Sequence, residues 1–418
     1  MIRTRLSKLS VAIGLSVAAS SAFASPQLFM SARSFAMGGT GVAVAHPSDA
    51  AATNPALMAG DHHDWADDFG LQLLSVNARV ADEEETVDQV DDIQDTIDDF
   101  EQAINNLDQP EAQNQAGKLR DQLQAFDKDT ARVNAGLGLS LAFPGKQLSV
   151  GVFTNGNLTA TVRGEYDQDD DAILAAIENG NPAVPGVTDT LESRGKILAS
   201  AVTELGISFA REFELSGGHR FQAGVSPKYV NLQTFQYTET VSGFEDDEFD
   251  DDQYQTDKSG FNLDIGAAYV FGDEQQWNAG IAVKNLIPME LDSAASRPQL
   301  GEKVRTLELN PMATVGIAHS SEFHVVTAEV DLTKKEAFGF EDDTQWLALG
   351  AEFDAFRYAQ LRVGVRHNLA SNDDNAGIEE KTQFTAGLGL NILGARLDIG
   401  ALYSDADVGA ALELGTAF

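Results

Sequence analysis

The chain contains no cysteine. That absence excludes disulfides, thiol catalysis and cysteine-ligated metal sites, and it weighs against a lipid anchor, because a lipoprotein signal requires the thiol. Cations are scarce as well. The 28 Lys and Arg stand against 65 Asp and Glu, a formal net charge of −37 that becomes −40 if Arg3, Arg5 and Lys8 leave with the amino-terminal segment. So acidic a product does not bind nucleic acid by neutralising phosphates, and no nucleic-acid partner is expected. Beyond Ser25 no stretch approaches the roughly 20 consecutive apolar residues of a spanning helix. Histidines number only seven and no G-x-S-x-G elbow occurs, so no catalytic residue, metal ligand or cofactor is assigned and an enzyme is not expected.

What is present begins with an export signal over residues 1–24. Arg3, Arg5 and Lys8 form a positive region, Leu9 to Ala19 an apolar one, and Ala22-Phe23-Ala24 a small-residue cleavage site before Ser25. Further along, apolar side chains alternate with small or polar ones, as in membrane strands of about 9 to 11 residues that face lipid on one side and a polar lumen on the other. Phe261, Leu263, Ile265, Ala267, Tyr269 and Phe271 are interleaved with Asn262, Asp264 and Gly266, and Leu361, Val363 and Val365 with Arg362, Gly364 and Arg366. One such strand fits a half-buried soluble sheet equally well. Many of them in one exported chain predict an all-β fold, a transmembrane antiparallel barrel.

Marking these segments between turn signals gives fourteen strands: 69–80, 131–142, 147–163, 197–213, 219–239, 258–271, 276–287, 311–319, 323–333, 344–353, 357–369, 381–391, 395–404 and 408–418. Tight links such as Pro144-Gly145-Lys146 and Ile392-Leu393-Gly394 alternate with longer segments rich in Asp, Asn and Gly. Short turns on the periplasmic side and long loops outside are the outer-membrane layout, with both chain ends in the periplasm. Leu412, Leu414, Thr416 and Phe418 share one face of the last strand, resembling the terminal signal that barrel-assembly machinery reads.

Residues 69–418 are thus expected to form the barrel, with a helical insertion at 82–130 in the first outer loop. There Val87, Val90, Ile97, Phe100, Ile104 and Leu107 recur at three- and four-residue spacing, Asp108-Gln109-Pro110 breaks the run, and Leu119, Leu123 and Phe126 continue it. Two acidic stretches, Asp82 to Glu101 and Glu245 to Asp252, would either bridge through divalent cations to lipopolysaccharide or form a solvated surface. The solvated surface is expected, because neither stretch has the spaced carboxylates and glycine turn of a calcium loop. The run Asp61 to Asp68 reads as a polar link, since adjacent histidines point apart on an extended chain.

Residues 25–68, on the periplasmic side of the first strand, are rich in glycine and alanine and are expected to form a plug inside the lumen. Their core, "ARSFAMGGTGVAVAHPSDAAATNPA", resembles the amino-terminal hatch of the FadL-like long-chain fatty-acid transporter superfamily. The positions that carry the resemblance are Phe35, Met37, Gly38, Gly39, Gly41, Ala43, Asp49, Ala50, Asn54, Pro55 and Ala56. Within that superfamily the size and the acidic insertion look most like exported plasmid-transfer proteins labelled TraF, of the barrel kind and not the thioredoxin-like kind. The resemblance implies a channel for hydrophobic small molecules, or alternatively a barrel that anchors or docks a conjugative transfer or secretion assembly.

The inward-facing Arg362, Arg366 and Arg396 are candidates to hold the carboxylate of a lumenal ligand, or else to pair with neighbouring acids such as Asp398 and Glu413. The partners expected on this reading are outer-membrane lipid and lipopolysaccharide, a hydrophobic ligand and envelope assembly proteins. The signal and the alternation generate one prediction. The protein should fractionate with the outer membrane and migrate differently on gels before and after heating. Recovery in the soluble periplasmic fraction would contradict it.

Overall fold

The computed structural model describes residues 29–60, 70–82, 84–145, 147–243, 252–355, 358–372 and 377–417. The signal segment, residues 25–28 of the expected plug, the polar link at 61–68, residues 245–251 of the second acidic stretch and Phe418 lie outside the described residues.

Fourteen antiparallel strands close into a barrel. In chain order they are β1 (Gly70–Ala81), β2 (Thr130–Phe143), β3 (Ser149–Glu165), β4 (Arg194–Glu214), β5 (Arg220–Thr240), β6 (Gln255–Phe271), β7 (Trp277–Lys284), β10 (Met312–Ser320), β11 (His324–Asp331), β12 (Trp346–Ala355), β13 (Ala359–Asn368), β14 (Thr382–Ile392), β15 (Ala395–Tyr403) and β16 (Asp407–Ala417). A small hairpin, β8 (Met289–Asp292) and β9 (Thr306–Leu309), stands apart as a two-stranded sheet. The last strand pairs with the first from Gly70↔Ala417 to Ala81↔Asp407, so no sheet edge is left open.

Side-chain alternation gives the wall two opposite faces. Leu137, Leu205, Ile207, Leu349, Val363, Leu388 and Ile399 are exposed on the outside, while Asn134, Glu204, Gln222, Glu352, Arg362 and Asp398 are buried within. An apolar outer belt around a polar interior is the arrangement of a barrel solvated by lipid. Each expected strand has its counterpart within a few residues. β4 and β6 each begin three residues earlier than expected, and β7, expected to reach Ile287, is shorter. It ends at Lys284 because Asn285 takes a φ of +58° and turns the chain.

The wall is uneven in height. Strands β3 to β6 run 17 to 21 residues, whereas β10 to β15 run 8 to 11. In the loop between β1 and β2, α3 (Thr86–Asn105) and α4 (Gln109–Ala125) form a helical hairpin. Its break lies at Leu107, with φ +61°, and at Asp108, whose carboxylate accepts from the Glu111 amide and caps α4. Leu107, expected on the apolar stripe, is 79% exposed at the tip of this turn.

The hairpin does not stand alone. The next outer loop supplies α5 (Gln168–Glu178), whose Leu174 and Ile177 complete one apolar cluster with Ile93, Ile97, Phe100, Leu119 and Leu123. Arg120 of α4 joins Asp171 at 2.6 Å and Glu178 at 2.7 Å. These exposed pairs set register more than stability. The insertion expected as a free surface hairpin is therefore two-thirds of a three-helix cap, because two helices with one apolar stripe each leave a groove that a third must cover.

Truncating the cap's centre should cost what a fully buried large-to-small change costs. Phe100→Ala is expected to destabilise the cap by about 3 to 5 kcal/mol, read as faster proteolysis of residues 86–125. The barrel should keep its heat-modifiable migration, since the cap's core is separate from the lumen.

Candidate functional site

The lumen is occupied by residues Phe29 to Gly60, folded as α1 (Ala32–Ala36), α2 (Pro47–Thr53) and a 3-10 turn, Pro55–Ala59. Helices this short have little stability of their own. What fixes them is a set of polar groups on the inner wall that answer the plug's backbone in a space with little water.

The middle of the plug hangs on one carboxylate. Glu329 of β11 accepts from the successive amides of Gly41, Val42 and Ala43 at 3.0, 2.8 and 3.0 Å. Asn278 of β7 donates to the Ala43 carbonyl at 2.8 Å, and Asn54 turns back to the Val42 carbonyl at 2.8 Å. Thr385 of β14 receives the Gly38 amide and donates to the Ala36 carbonyl, at 2.9 and 3.0 Å. Elsewhere on the wall Ser208 of β4 donates to the Ala51 carbonyl at 2.8 Å, and Ser140 of β2 and Lys284 of β7 reach the carbonyls of Ser48 and Ala52. Removing the Glu329 carboxylate would leave three amides without that acceptor, at about 1 to 3 kcal/mol each. That exceeds the order of 1 to 3 kcal/mol for one residue forced into a sparsely populated φ. Among the described residues, Glu329 is thus the wall side chain that accepts the most amides of the plug.

Gly38 and Gly39 lie at φ +75° and +87°, in the left-handed region that favours glycine. The wall beside them is also glycine. A Cβ at Gly364 of β13 would stand 2.2 Å from the Gly38 nitrogen, and one at Gly350 of β12 would stand 2.6 Å from the Met37 carbonyl oxygen. These two wall glycines face each other in register.

The other plug-motif residues are placed as follows. Phe35 packs on Leu402 and Ala411, and Met37 is buried. Asp49 lies 3.5 Å from Arg396. Asn54, fully buried, caps the 3-10 turn that Pro55 begins by accepting from the Ala56 amide at 3.2 Å. Gly41 gives its amide to Glu329.

Of the three candidate arginines, two are committed to carboxylates. Arg362 pairs with Glu352 at 2.5 Å and with Asp398, and Glu352 also holds Arg33 of the plug at 2.9 Å. Arg396 joins Asp398 at 2.8 Å and also Glu413, which accepts the Ala32 amide at 3.0 Å. Arg366 differs. Its Nε donates to Gln383 at 2.6 Å and its guanidinium lies 4.3 Å from the Trp346 ring centroid. It lines a cavity of about 100 Å³ above the plug, with Met30, Val42, Met312, Glu329 and Trp346 among its other walls. Sequence reasoning did not single out Glu329, Glu352 or Thr385. The available signal was a polar residue at an inward position of a strand, but alternation alone does not say which inward groups meet the plug.

Above the cavity the mouth is closed. Arg132 of β2 is fully buried and joins Glu380 and Asp407 at 2.6 Å and Glu341 at 3.4 Å. Arg79 of β1 reaches Asp407 at 3.3 Å and Glu380 at 3.5 Å. Glu341 belongs to the loop between β11 and β12, which turns inward. Its neighbour Phe340 donates its amide to Thr161 of β3 at 3.2 Å, and Arg163 and Arg305 lie over its ring at 5.1 and 4.9 Å. Phe338 and Phe340 pack with β8, β9 and the inner face of β4 and β5.

A family model described as "F plasmid transfer operon, TraF, protein" matches residues 51–331. No curated protein matches the chain. Among solved structures, the Pseudomonas putida toluene transporter TodX is similar with a TM-score of 0.51 and 12% identity, covering 96% of this chain and 100% of that one. A deltaS2S3 mutant of the monoaromatic hydrocarbon channel TodX has 0.52 and 13%, covering 93% and 99%. The CymD monoaromatic hydrocarbon channel has 0.50 and 12%, covering 93% and 98%. At these identities the likeness establishes the fold.

The closed mouth generates a pH prediction. Burial first, and then the neighbouring Glu380, push the Glu341 carboxyl up to about 7, against the pull of Arg132 and Arg79. The closed loop therefore favours the protonated acid. Its contribution is fully present below the ordinary carboxylate range and is lost as pH rises through about 7. Between pH 6 and 8 the segment around Phe340 should become more susceptible to a protease of constant activity, and Glu341→Gln should abolish that dependence. An unchanged pH response in the variant would assign it elsewhere.

Proposed function

Because the chain belongs to the family of F plasmid transfer operon TraF proteins and folds as a closed fourteen-stranded barrel, we propose that it is an outer-membrane protein passing small hydrophobic molecules, with residues 29–60 as its gate. In this reading residues 1–24 are removed on export. The supporting observation is the manner in which the plug is held: wall side chains hydrogen bond to its backbone, and short helices of small residues fill the bore. Such bonds contribute about 0.5 to 1.5 kcal/mol each and exchange for one another along the polar inner wall, so the plug shifts without unfolding the wall. TodX and CymD, described as a toluene transporter and a monoaromatic hydrocarbon channel, support the solute class. The solute meets the apolar cluster around Phe340 at the mouth, passes the plug, and leaves toward the periplasm or sideways into the membrane.

A second reading, as anchor or docking component of a transfer or secretion assembly, is favoured by the three-helix cap, a folded unit with its own core that a passage does not require. Its partners would be envelope proteins or lipopolysaccharide.

Replacing Gly38 and Gly39 by valine separates the two. Each substitution places a branched side chain at positive φ, and Gly38 also abuts the backbone of Leu349 and Val365. The plug should be displaced while the strands still form. In planar bilayers the variant should then show larger or more frequent conductance steps, and cells should admit more of a bulky apolar antibiotic. Equal conductance and equal permeability would remove the gate and leave the anchoring role.

A further inference from the structure

We infer that His319 and His324 form a two-histidine site for a divalent transition-metal ion, at the turn joining β10 to β11 and on the outer face of the wall. Neither the plug nor the lumen is part of it.

The link between the two strands is tight, and the Ser321 amide donates to the His324 carbonyl at 2.8 Å. The antiparallel register sets Ser320 opposite Val325 and His319 opposite Val326. Alternation then puts both histidines on one face, His319 in phase with the exposed Ile317 and His324 with the exposed Val326. They are diagonal neighbours there, close enough for ring side chains to meet. Nδ1 of His319 and Nε2 of His324 are 3.2 Å apart. The ring centroids are 5.3 Å apart, longer by about two ring radii, so each nitrogen is aimed at the other.

Two ring nitrogens in this arrangement match two ligands of one ion. With metal–nitrogen bonds of about 2.0 to 2.1 Å, this spacing subtends about 100° at the metal, near the tetrahedral angle. His324 is also held from its other side. Its Nδ1 lies 2.8 Å from the Ser321 hydroxyl, and a proton on Nδ1 donated to that oxygen leaves Nε2 bare. Metal-bound imidazoles are oriented by a contact of this kind. The Ser321 oxygen accepts from the amides of Phe323 and His324, both at 3.2 Å. His319 is braced by Trp277 of β7, whose ring meets it edge-on at 4.7 Å between centroids.

The donor set selects the ion. Imidazole nitrogen suits zinc, copper and nickel, whereas magnesium and calcium require oxygen. Among the described residues no third histidine or carboxylate joins the pair, so the remaining coordination positions belong to water or to a donor from another molecule.

The test uses the purified full-length barrel with Trp65 and Trp346 replaced by phenylalanine, which leaves Trp277 as the only indole, and copper(II), a quencher of indole fluorescence. Copper should quench Trp277 saturably, and zinc should restore the signal by competition where magnesium does not. His319→Asn and His324→Asn should each weaken copper binding at least tenfold, while replacing His62 and His63 by asparagine should leave it unchanged. Absence of saturable quenching overturns the inference, as do competition by magnesium equal to that by zinc and quenching at parental strength in either the His319 or the His324 variant. Electron paramagnetic resonance of copper bound to the protein lacking His62 and His63 should show two imidazole nitrogens. One or none overturns the inference even if the His319 and His324 variants do not assemble.

Discussion

A chain folded through the bore of a barrel has its amides and carbonyls cut off from bulk water, and each must find a partner on the wall. This requirement organises the interior more than any apolar contact does. Glu329 serves three consecutive amides, Thr385 serves one donor and one acceptor, and Asn54 closes a loop within the plug itself. Where the plug's backbone runs against the wall, the wall loses its side chains, so Gly38 lies against Gly364 and the Met37 carbonyl against Gly350. The acidic and basic residues of the bore then follow as a second tier. They neutralise one another, as Arg33, Glu352, Arg362 and Asp398 do, and fix the ends of the plug while doing so.

Most of the wall was legible in the sequence because a lipid-facing strand must alternate and its two ends must differ. The period of two in the segment from Phe261 to Phe271, and the short links recurring after every second strand, required no tertiary information. The small hairpin β8 and β9 was not legible: four-residue strands such as Met289–Asp292 carry too few repeats to declare a period. Nor was the third helix of the cap. Gln168–Glu178 has only one and a half apolar turns, and Leu174 and Ile177 become a face only when α3 and α4 supply the groove. The inward course of the loop bearing Phe338 and Phe340 depends on contacts with β3, β4 and β5, more than a hundred residues earlier in the chain.

The site was legible by residue type and not by partner. The glycine pair at 38 and 39 and the Asn54-Pro55 step were readable from residue type, and the structure places the glycines at positive φ and Asn54-Pro55 at the start of a 3-10 turn. The arginines were readable as inward charges. Which of them lacks a carboxylate partner depended on the positions of Glu352, Asp398 and Glu413 around them, that is, on register across strands that are distant in sequence.

Glu413 ties the two ends of the chain together. It sits on the last strand, accepts from Gln72 and Ser75 on the first strand at 3.0 and 3.1 Å, and takes the Ala32 amide of the plug. A seam slipped by two residues would present Ala411 or Gly415 at that point, and neither carries a carboxylate for the waiting donors. One carboxylate thus meets donors from the first strand and from the plug only in the observed register, so the segment that fills the bore is bonded to the very seam where the barrel closes.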